Sequence, residues 1–125
     1  PYFNAWVTRA RKDYKLMLDA VEKMDFTSTG SICEENSLAM HACMIATRPA
    51  LIYWNDTTVR LIKAVKKWRE GGLEAYCTID AGPHVAILGK ISDLNKIVSR
   101  ARNVNGVTTA QKSLPAGGAS ISECL

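Results

Sequence analysis

The chain has 125 residues, of which 47% are apolar and 22% charged, and its formal net charge is +4. These values are ordinary for a globular protein and predict one domain over residues 1–125, with a core of its own. Its apolar runs are far shorter than the roughly 20 residues that span a bilayer, so we expect no membrane partner.

The positive charge is not gathered into a nucleic-acid-binding surface. Basic and acidic side chains alternate along the first part of the chain: Arg9, Arg11, Lys12, Asp13, Lys15, Asp19, Glu22 and Lys23. Nucleic-acid binders usually concentrate basic residues on one face, so this pattern favours a solvated helix face and predicts no nucleic-acid partner. The mild positive charge still suits an anionic small molecule.

The four cysteines, Cys33, Cys43, Cys77 and Cys124, form neither a CxxC pair nor a zinc-type cluster. We therefore expect no metal site. Cys33 and Cys43 fall on one predicted helix, about 15 Å apart, which is too far for a disulfide. Four free thiols and a cytoplasmic location are the simplest interpretation.

Apolar residues at spacings of three and four predict a long first helix over residues 3–24. A second, weaker helix is expected over 28–46, with Gly30 in its first turn as a residue that can delay its start. Pro49 ends that helix, and the apolar run at 51–54 predicts a short strand. The chain has no initiating methionine, and we interpret it as a piece of a longer protein.

The second half alternates strands and helices. Residues 55–58 supply N-cap candidates for a third helix that ends at the Gly71–Gly72 pair. Strands are expected at 73–79 and 85–88, joined by a turn at Gly82–Pro83. A fourth helix follows Ser92–Asp93. Further strands are predicted at 107–110 and near Ser120.

This order predicts an α+β fold, with helices packed on one face of a mostly antiparallel sheet. From residue 51 onward the order strand, helix, strand, strand, helix, strand is ferredoxin-like, and the first two helices would form an added layer. Trp6, Trp54 and Trp68 fall at inward positions of their elements and are predicted to be core residues.

The segment from Ile79 to Pro83 is the strongest candidate for chemistry. Asp80 ends an apolar strand, and the small residues Ala81 and Gly82 leave its carboxylate open to a ligand. Asp and Gly are also common in ordinary turns, so the local pattern leaves both interpretations open.

Three segments resemble one enzyme family. Residues 75–85 (AYCTIDAGPHV) resemble the AYTFDAGPNAV-type segment of diphosphomevalonate decarboxylases, which belong to the GHMP kinase superfamily. Residues 35–42 (ENSLAMHA) are similar to a family helix that ends in Phe-His-Ala or Met-His-Ala, and residues 48–57 (RPALIYWNDT) are similar to the family's PPIFYMNDTS segment. The chain departs from the pattern at His84, where the family usually has asparagine, and at Arg48, which replaces a proline.

The resemblance implies the carboxy-terminal domain of an ATP-dependent decarboxylase that converts mevalonate diphosphate into isopentenyl diphosphate. It implies a catalytic role for Asp80, as a base or orienting acceptor for the substrate's tertiary hydroxyl. Substrate-pocket candidates are Ala81, Gly82, Pro83 and His41, although a packed structural histidine is an alternative for His41. ATP and Mg²⁺ would be bound mainly by an amino-terminal domain, and the enzyme would form a homodimer.

Two alternative functions stay open at this point. A phosphomevalonate decarboxylase or a mevalonate kinase would share the superfamily pattern. A non-catalytic ferredoxin-like module is a different class, but RNA binding is disfavoured because the central strands offer only Tyr76 as an aromatic platform. Residues 117–120, the nearest match to a phosphate-binding loop, have no helix after them.

Overall fold

The structure is a computed structural model that describes residues 2–118. Its elements confirm the predicted α+β class, with helices accompanied by a small antiparallel sheet. In chain order they are α1 (Phe3–Glu22), α2 (Phe26–Ile45), α3 (Asp56–Glu70), β1 (Ala75–Thr78), β2 (Ala86–Gly89) and, after a single 3-10 turn (Ile91–Asp93), α4 (Leu94–Arg102). None of the helices in the described range is long and apolar enough to cross a bilayer.

The first two helices form an antiparallel pair joined by a very short connection. Met24 takes a positive φ of 52°, and Asp25 then caps α2 by accepting the Ser28 N–H at 3.1 Å. Hydrogen bonds from Ser28 lower the pKa of the Asp25 carboxyl. Because this cap starts α2 at Phe26, Gly30 lies within the helix, and the prediction that it delays the helix start was wrong.

Gly30 lets α2 approach β1 closely. A Cβ at this position would lie 2.1 Å from Cδ2 of Tyr76, a side chain that is only 3% exposed. The Tyr76 ring also contacts Phe26 edge-on, with centroids 5.9 Å apart, and the Arg69 guanidinium carbon lies 4.6 Å from the ring centroid. Glycine is therefore required here by packing.

The two strands pair in antiparallel register, with Ala75 opposite Gly89 and Thr78 opposite Ala86. One face of β1 packs against α3 and α4, where a core cluster is built from Val65, Leu73, Ala75, Cys77 and Ile97. The other face presents Tyr76 to α2. The α1–α2 pair is thus the added layer that the sequence predicted, and it covers the side of β1 away from α4.

The strands predicted at 51–54 and 107–110 are not formed, so the sheet of the described residues has two strands. The Leu51 N–H donates to the Met44 carbonyl at 3.1 Å, which ties this segment to the end of α2. The Val107 N–H donates to Val104, and the Ala110 carbonyl accepts from Arg102. Short apolar runs do not by themselves distinguish strands from packed loops.

Other sequence predictions have mixed outcomes. Cys33, Cys43 and Cys77 are free thiols, as predicted, whereas Cys124 and the strand expected near Ser120 lie outside the described residues. The tryptophans Trp6, Trp54 and Trp68, predicted to be core residues, are half-buried, and of the three Trp68 packs against the core cluster.

We predict that Gly30→Ala destabilises the protein although alanine is the better helix former. The added methyl group meets the Tyr76 ring, and overpacking of this kind costs about 1–3 kcal/mol, more than the roughly 1 kcal/mol gained in helix propensity. Urea unfolding measures the change. Gly117→Ala is the control, because nothing lies within 4 Å of its added Cβ. Equal stability of the Gly30 variant and the wild type would contradict this packing.

Candidate functional site

Asp80 follows the buried Ile79, two residues beyond the end of β1, and is exposed. It borders an open depression of about 300 Å³. The other residues lining this depression are Thr78, Ala81, Gly82, His84, Val85 and Ala86. Two of the predicted pocket residues, Ala81 and Gly82, are therefore beside Asp80, whereas Pro83 and His41 are not among the lining residues.

The turn after β1 is made by the backbone and leaves the Asp80 carboxylate free. The Gly82 N–H donates to the Asp80 carbonyl at 2.8 Å, which closes a three-residue turn around Ala81. An aspartate that serves only its turn usually bonds the backbone with its own carboxylate. Among residues 2–118 no group is hydrogen-bonded or ion-paired to the Asp80 carboxylate. This carboxylate is therefore available to a ligand.

The start of the Asp80 loop is anchored by two side chains of α2. The Ile79 N–H donates to Ser37 Oγ at 2.9 Å, and the Ile79 carbonyl accepts from Ser37 Oγ at 2.9 Å. His41 Nε2 lies 3.1 Å from the same carbonyl oxygen. Ser37 and His41 are four residues apart, so they occupy one face of the helix.

The end of the loop is anchored by α3. Thr58 Oγ1 donates to the Pro83 carbonyl at 2.8 Å. The Thr58 N–H donates to Asn55 Oδ1 at 2.9 Å as part of the box that caps this helix. Thr58 is only 1% exposed, so its hydroxyl joins a helix start to the loop in a dry environment. The segment from Asp80 to Pro83 is thus fixed at both ends.

An ion pair provides hydrogen-bond partners for the other backbone groups on the β1 edge that faces away from β2. The Cys77 N–H donates to Glu34 Oε2 at 2.8 Å, and the Ala75 carbonyl accepts from Arg69 Nη1 at 2.6 Å. Arg69 also binds Glu34 through both terminal nitrogens, at 2.7 and 3.2 Å. The hydrogen bond to Glu34 raises the pKa of Arg69, and burial raises the pKa of the Cys77 thiol to about 12, so this thiol stays protonated at neutral pH.

His41 lies beneath the loop, with 1% of its surface exposed. Its ring packs against Trp54, with centroids 4.9 Å apart, and against Tyr53 at 6.4 Å. The geometry is that of a buried group that supports the strand end. Its predicted contact with substrate stays a prediction.

Sequence reasoning did not select Glu34, Ser37 or Thr58 for the site, nor His84 for the lining of the depression. A signal was present for the first two, because Glu34, Ser37 and His41 follow each other at spacings of three and four on one helix. In the part of the chain that the structure describes, no group of three or more His, Cys, Asp or Glu side chains is arranged to hold a metal ion.

Comparison with known proteins identifies the family. Residues 6–122 match the family described as "Mevalonate 5-diphosphate decarboxylase C-terminal domain". The chain belongs to this family. The predicted membership of the diphosphomevalonate decarboxylases, as a carboxy-terminal domain, is thereby confirmed.

Individual relatives agree with this assignment to the decarboxylase family. The diphosphomevalonate decarboxylase of Debaryomyces hansenii is 30% identical over 89 residues, which cover 70% of this chain and 23% of that protein. The enzyme of Schizosaccharomyces pombe is 30% identical over 105 residues, which cover 79% of this chain and 27% of that protein. This decarboxylase domain therefore spans about a quarter of the length of the curated relatives it matches.

Solved structures show the same fold. The mevalonate pyrophosphate decarboxylase from Streptococcus pyogenes superposes with a TM-score of 0.80 at 32% identity, covering 94% of this chain and 37% of that one. The enzyme from Enterococcus faecalis superposes with a TM-score of 0.79 at 26% identity, covering 85% of this chain and 33% of that one. The α+β architecture of the decarboxylase C-terminal domain is thus confirmed.

We predict that Glu34→Ala costs about 2–3 kcal/mol of folding free energy, because it leaves the Cys77 N–H without its acceptor and the Arg69 guanidinium without its carboxylate partner. The Glu34 side chain is 15% exposed and that of Arg69 28%, so solvent limits the loss. Chemical unfolding measures it.

Two further variants control this measurement. Glu34→Gln keeps one carbonyl oxygen and should lose about half as much. Glu35→Ala removes a surface pair with Arg9 and should cost less than about 1 kcal/mol. Equal effects at Glu34 and Glu35 would contradict the structural role of Glu34.

Proposed function

We propose that this domain is part of an ATP-dependent enzyme that decarboxylates mevalonate diphosphate to isopentenyl diphosphate, and that Asp80 is its catalytic residue. One observation carries the role of Asp80: an exposed carboxylate without an internal partner stands on a loop that is anchored at both ends. The family assignment supports the reaction. A similar solved structure, described as "MDDEF in complex with MVAPP, AMPPCP and Magnesium", has a TM-score of 0.80 at 26% identity.

The proposed task of Asp80 is to accept or orient the proton of the substrate's tertiary hydroxyl. A carboxylate within hydrogen-bond reach of a hydroxyl does this when it is not already bonded elsewhere. Phosphoryl transfer depends mainly on positioning the attacking oxygen, so a fixed loop suits the task. Ala81 and Gly82 add little bulk beside the carboxylate and leave room for the substrate.

The described residues do not by themselves fit ATP or Mg²⁺. No three-ligand cluster is present among them, and none of the helix starts within residues 2–118 follows a glycine-rich loop of the kind that cradles phosphates. We therefore propose that an amino-terminal domain of the full-length protein binds the nucleotide and the metal ion. The contribution assigned to this chain is confined to Asp80 and its loop.

The proposed homodimer rests on the family resemblance, and the proposed cytoplasmic location rests on the cysteine pattern. Free thiols at Cys33, Cys43 and Cys77 are compatible with a reducing compartment. The alternative of an RNA-binding sheet loses its main support, because Tyr76 is covered by Gly30 and Phe26 and cannot stack on a base.

We predict that Asp80→Asn in the full-length enzyme lowers kcat by 10²–10⁴-fold, equivalent to about 3–5 kcal/mol of activation free energy. Asparagine keeps the shape of the side chain but cannot accept a proton. Since no internal bond is lost, the melting temperature should hardly change. Steady-state kinetics and thermal melting test both statements.

The control for Asp80→Asn is Asp19→Asn, which alters only an exposed pair with Lys23 on α1. It should leave turnover unchanged. An Asp80 variant within fivefold of wild-type turnover would remove Asp80 from the mechanism, and activity lost only through unfolding would make it a structural residue of the turn.

We also predict that the isolated chain binds ATP weakly, with a Kd above about 1 mM, which corresponds to less than about 4 kcal/mol of binding free energy. The reason is the lack of a phosphate-binding loop among the described residues. Titration calorimetry with ATP and Mg²⁺ measures this, with the full-length enzyme as the positive control. Low-micromolar affinity of the isolated chain would contradict the proposed division of roles.

A further inference from the structure

His41 is among the most deeply buried side chains of the domain, yet it is polar and has no assigned part in the chemistry. It lies between the Trp54 ring and the backbone of Ile79. A buried polar group costs free energy unless it is hydrogen-bonded, and packing alone would be served by an apolar residue. The hydrogen bond from Nε2 to the Ile79 carbonyl therefore accounts for a histidine at this position.

That carbonyl belongs to the peptide group that joins Ile79 to Asp80. A peptide group is planar, so fixing its oxygen also fixes the Asp80 nitrogen and the direction in which Asp80 Cα leaves the strand. Ser37 Oγ donates to the same oxygen, and a carbonyl can accept two hydrogen bonds. Two donors from one helix thus converge on the group that orients Asp80.

We propose that His41 is a positioning residue for Asp80: it donates from Nε2 to the Ile79 carbonyl and so sets the direction of the catalytic carboxylate. The inference rests on the proposed function of Asp80. It requires the tautomer, or the charged form, in which Nε2 carries a hydrogen. A displacement of the carboxylate by about 1 Å can cost 10²-fold in rate, so the hydrogen bond acts on kcat although His41 does not touch the substrate.

Substitutions in the full-length enzyme separate this role from simple packing. His41→Leu fills space without a donor. His41→Gln places an amide nitrogen near the position of Nε2, whereas His41→Asn carries the same amide one bond too short to reach Ile79. We expect kcat to fall by 10- to 100-fold in the Leu and Asn variants, with KM within threefold of wild type, and to return to within fivefold in the Gln variant.

Amide hydrogen exchange gives a readout that is independent of activity. The amides of Ile79 and Gly82, which donate to Ser37 Oγ and to the Asp80 carbonyl, should exchange at least tenfold faster in the Asn variant than in the wild type or the Gln variant. Ile97→Val in α4 is the stability control, because Ile97 is buried in the core cluster and is not among the residues that line the Asp80 depression. It should lower the melting temperature and leave kcat unchanged. If the Leu variant does not fold, the Gln and Asn pair carries the same comparison.

Two results would overturn the inference. One is turnover of the Asn variant within threefold of wild type. The other is a loss of kcat that is proportional to the drop in melting temperature in every variant, including Ile97→Val, with no recovery of kcat in His41→Gln. Asp80→Asn is measured alongside. If Asp80→Asn is inactive while His41→Asn is active, only the positioning role fails. If Asp80→Asn is active, the proposed function fails and the positioning role fails with it.

Discussion

The organisation of this domain depends on how one edge of β1 is satisfied. Buried backbone N–H and C=O groups must find partners, and an open strand edge exposes a row of them. Here the edge away from β2 is bonded by side chains in place of a strand: Arg69 and Glu34 bind Ala75 and Cys77, and Ser37 and His41 bind Ile79. The last of these bonds lies one residue before Asp80. The hydrogen bonds that satisfy the backbone groups of this edge therefore also position the candidate site.

Helix geometry explains why one element can serve successive positions of a strand. Steps of three and four residues along α2 advance by about 4.5 and 6 Å, and two residues along β1 advance by about 6.6 Å. The step from Glu34 to Ser37 therefore roughly follows the step from Cys77 to Ile79. One turn further along α2, His41 reaches the carbonyl of the same Ile79. The close approach this requires is provided by Gly30, which lets α2 lie against the Tyr76 ring.

The sequence predicted the features that depend on local pattern. Apolar spacing located the helices, and strand-like segments on either side of the Gly82–Pro83 turn located β1 and β2. The segments at 51–54 and 107–110 were wrongly predicted as strands because the partners of their backbone groups, such as Met44 and Arg102, are not encoded in their own pattern. The same limit applies to the site. Asp80 was selected as a candidate from its neighbours and from the family resemblance, but its supports Ser37 and Thr58 lie 42 and 25 residues away from the loop positions they bond.

Stability and proposed chemistry are carried by different atoms of the same loop. The loop is held by backbone carbonyls of Ile79 and Pro83 and by the turn at Gly82, none of which involves the Asp80 carboxylate. A carboxylate that capped its own turn would have to give up that bond before it could accept a substrate proton. Because the holding groups on α2 and α3 are buried and the carboxylate is exposed, the loop keeps its geometry while the charged group stays free for a ligand. This separation makes the Asp80 turn suitable for catalysis despite its ordinary turn composition.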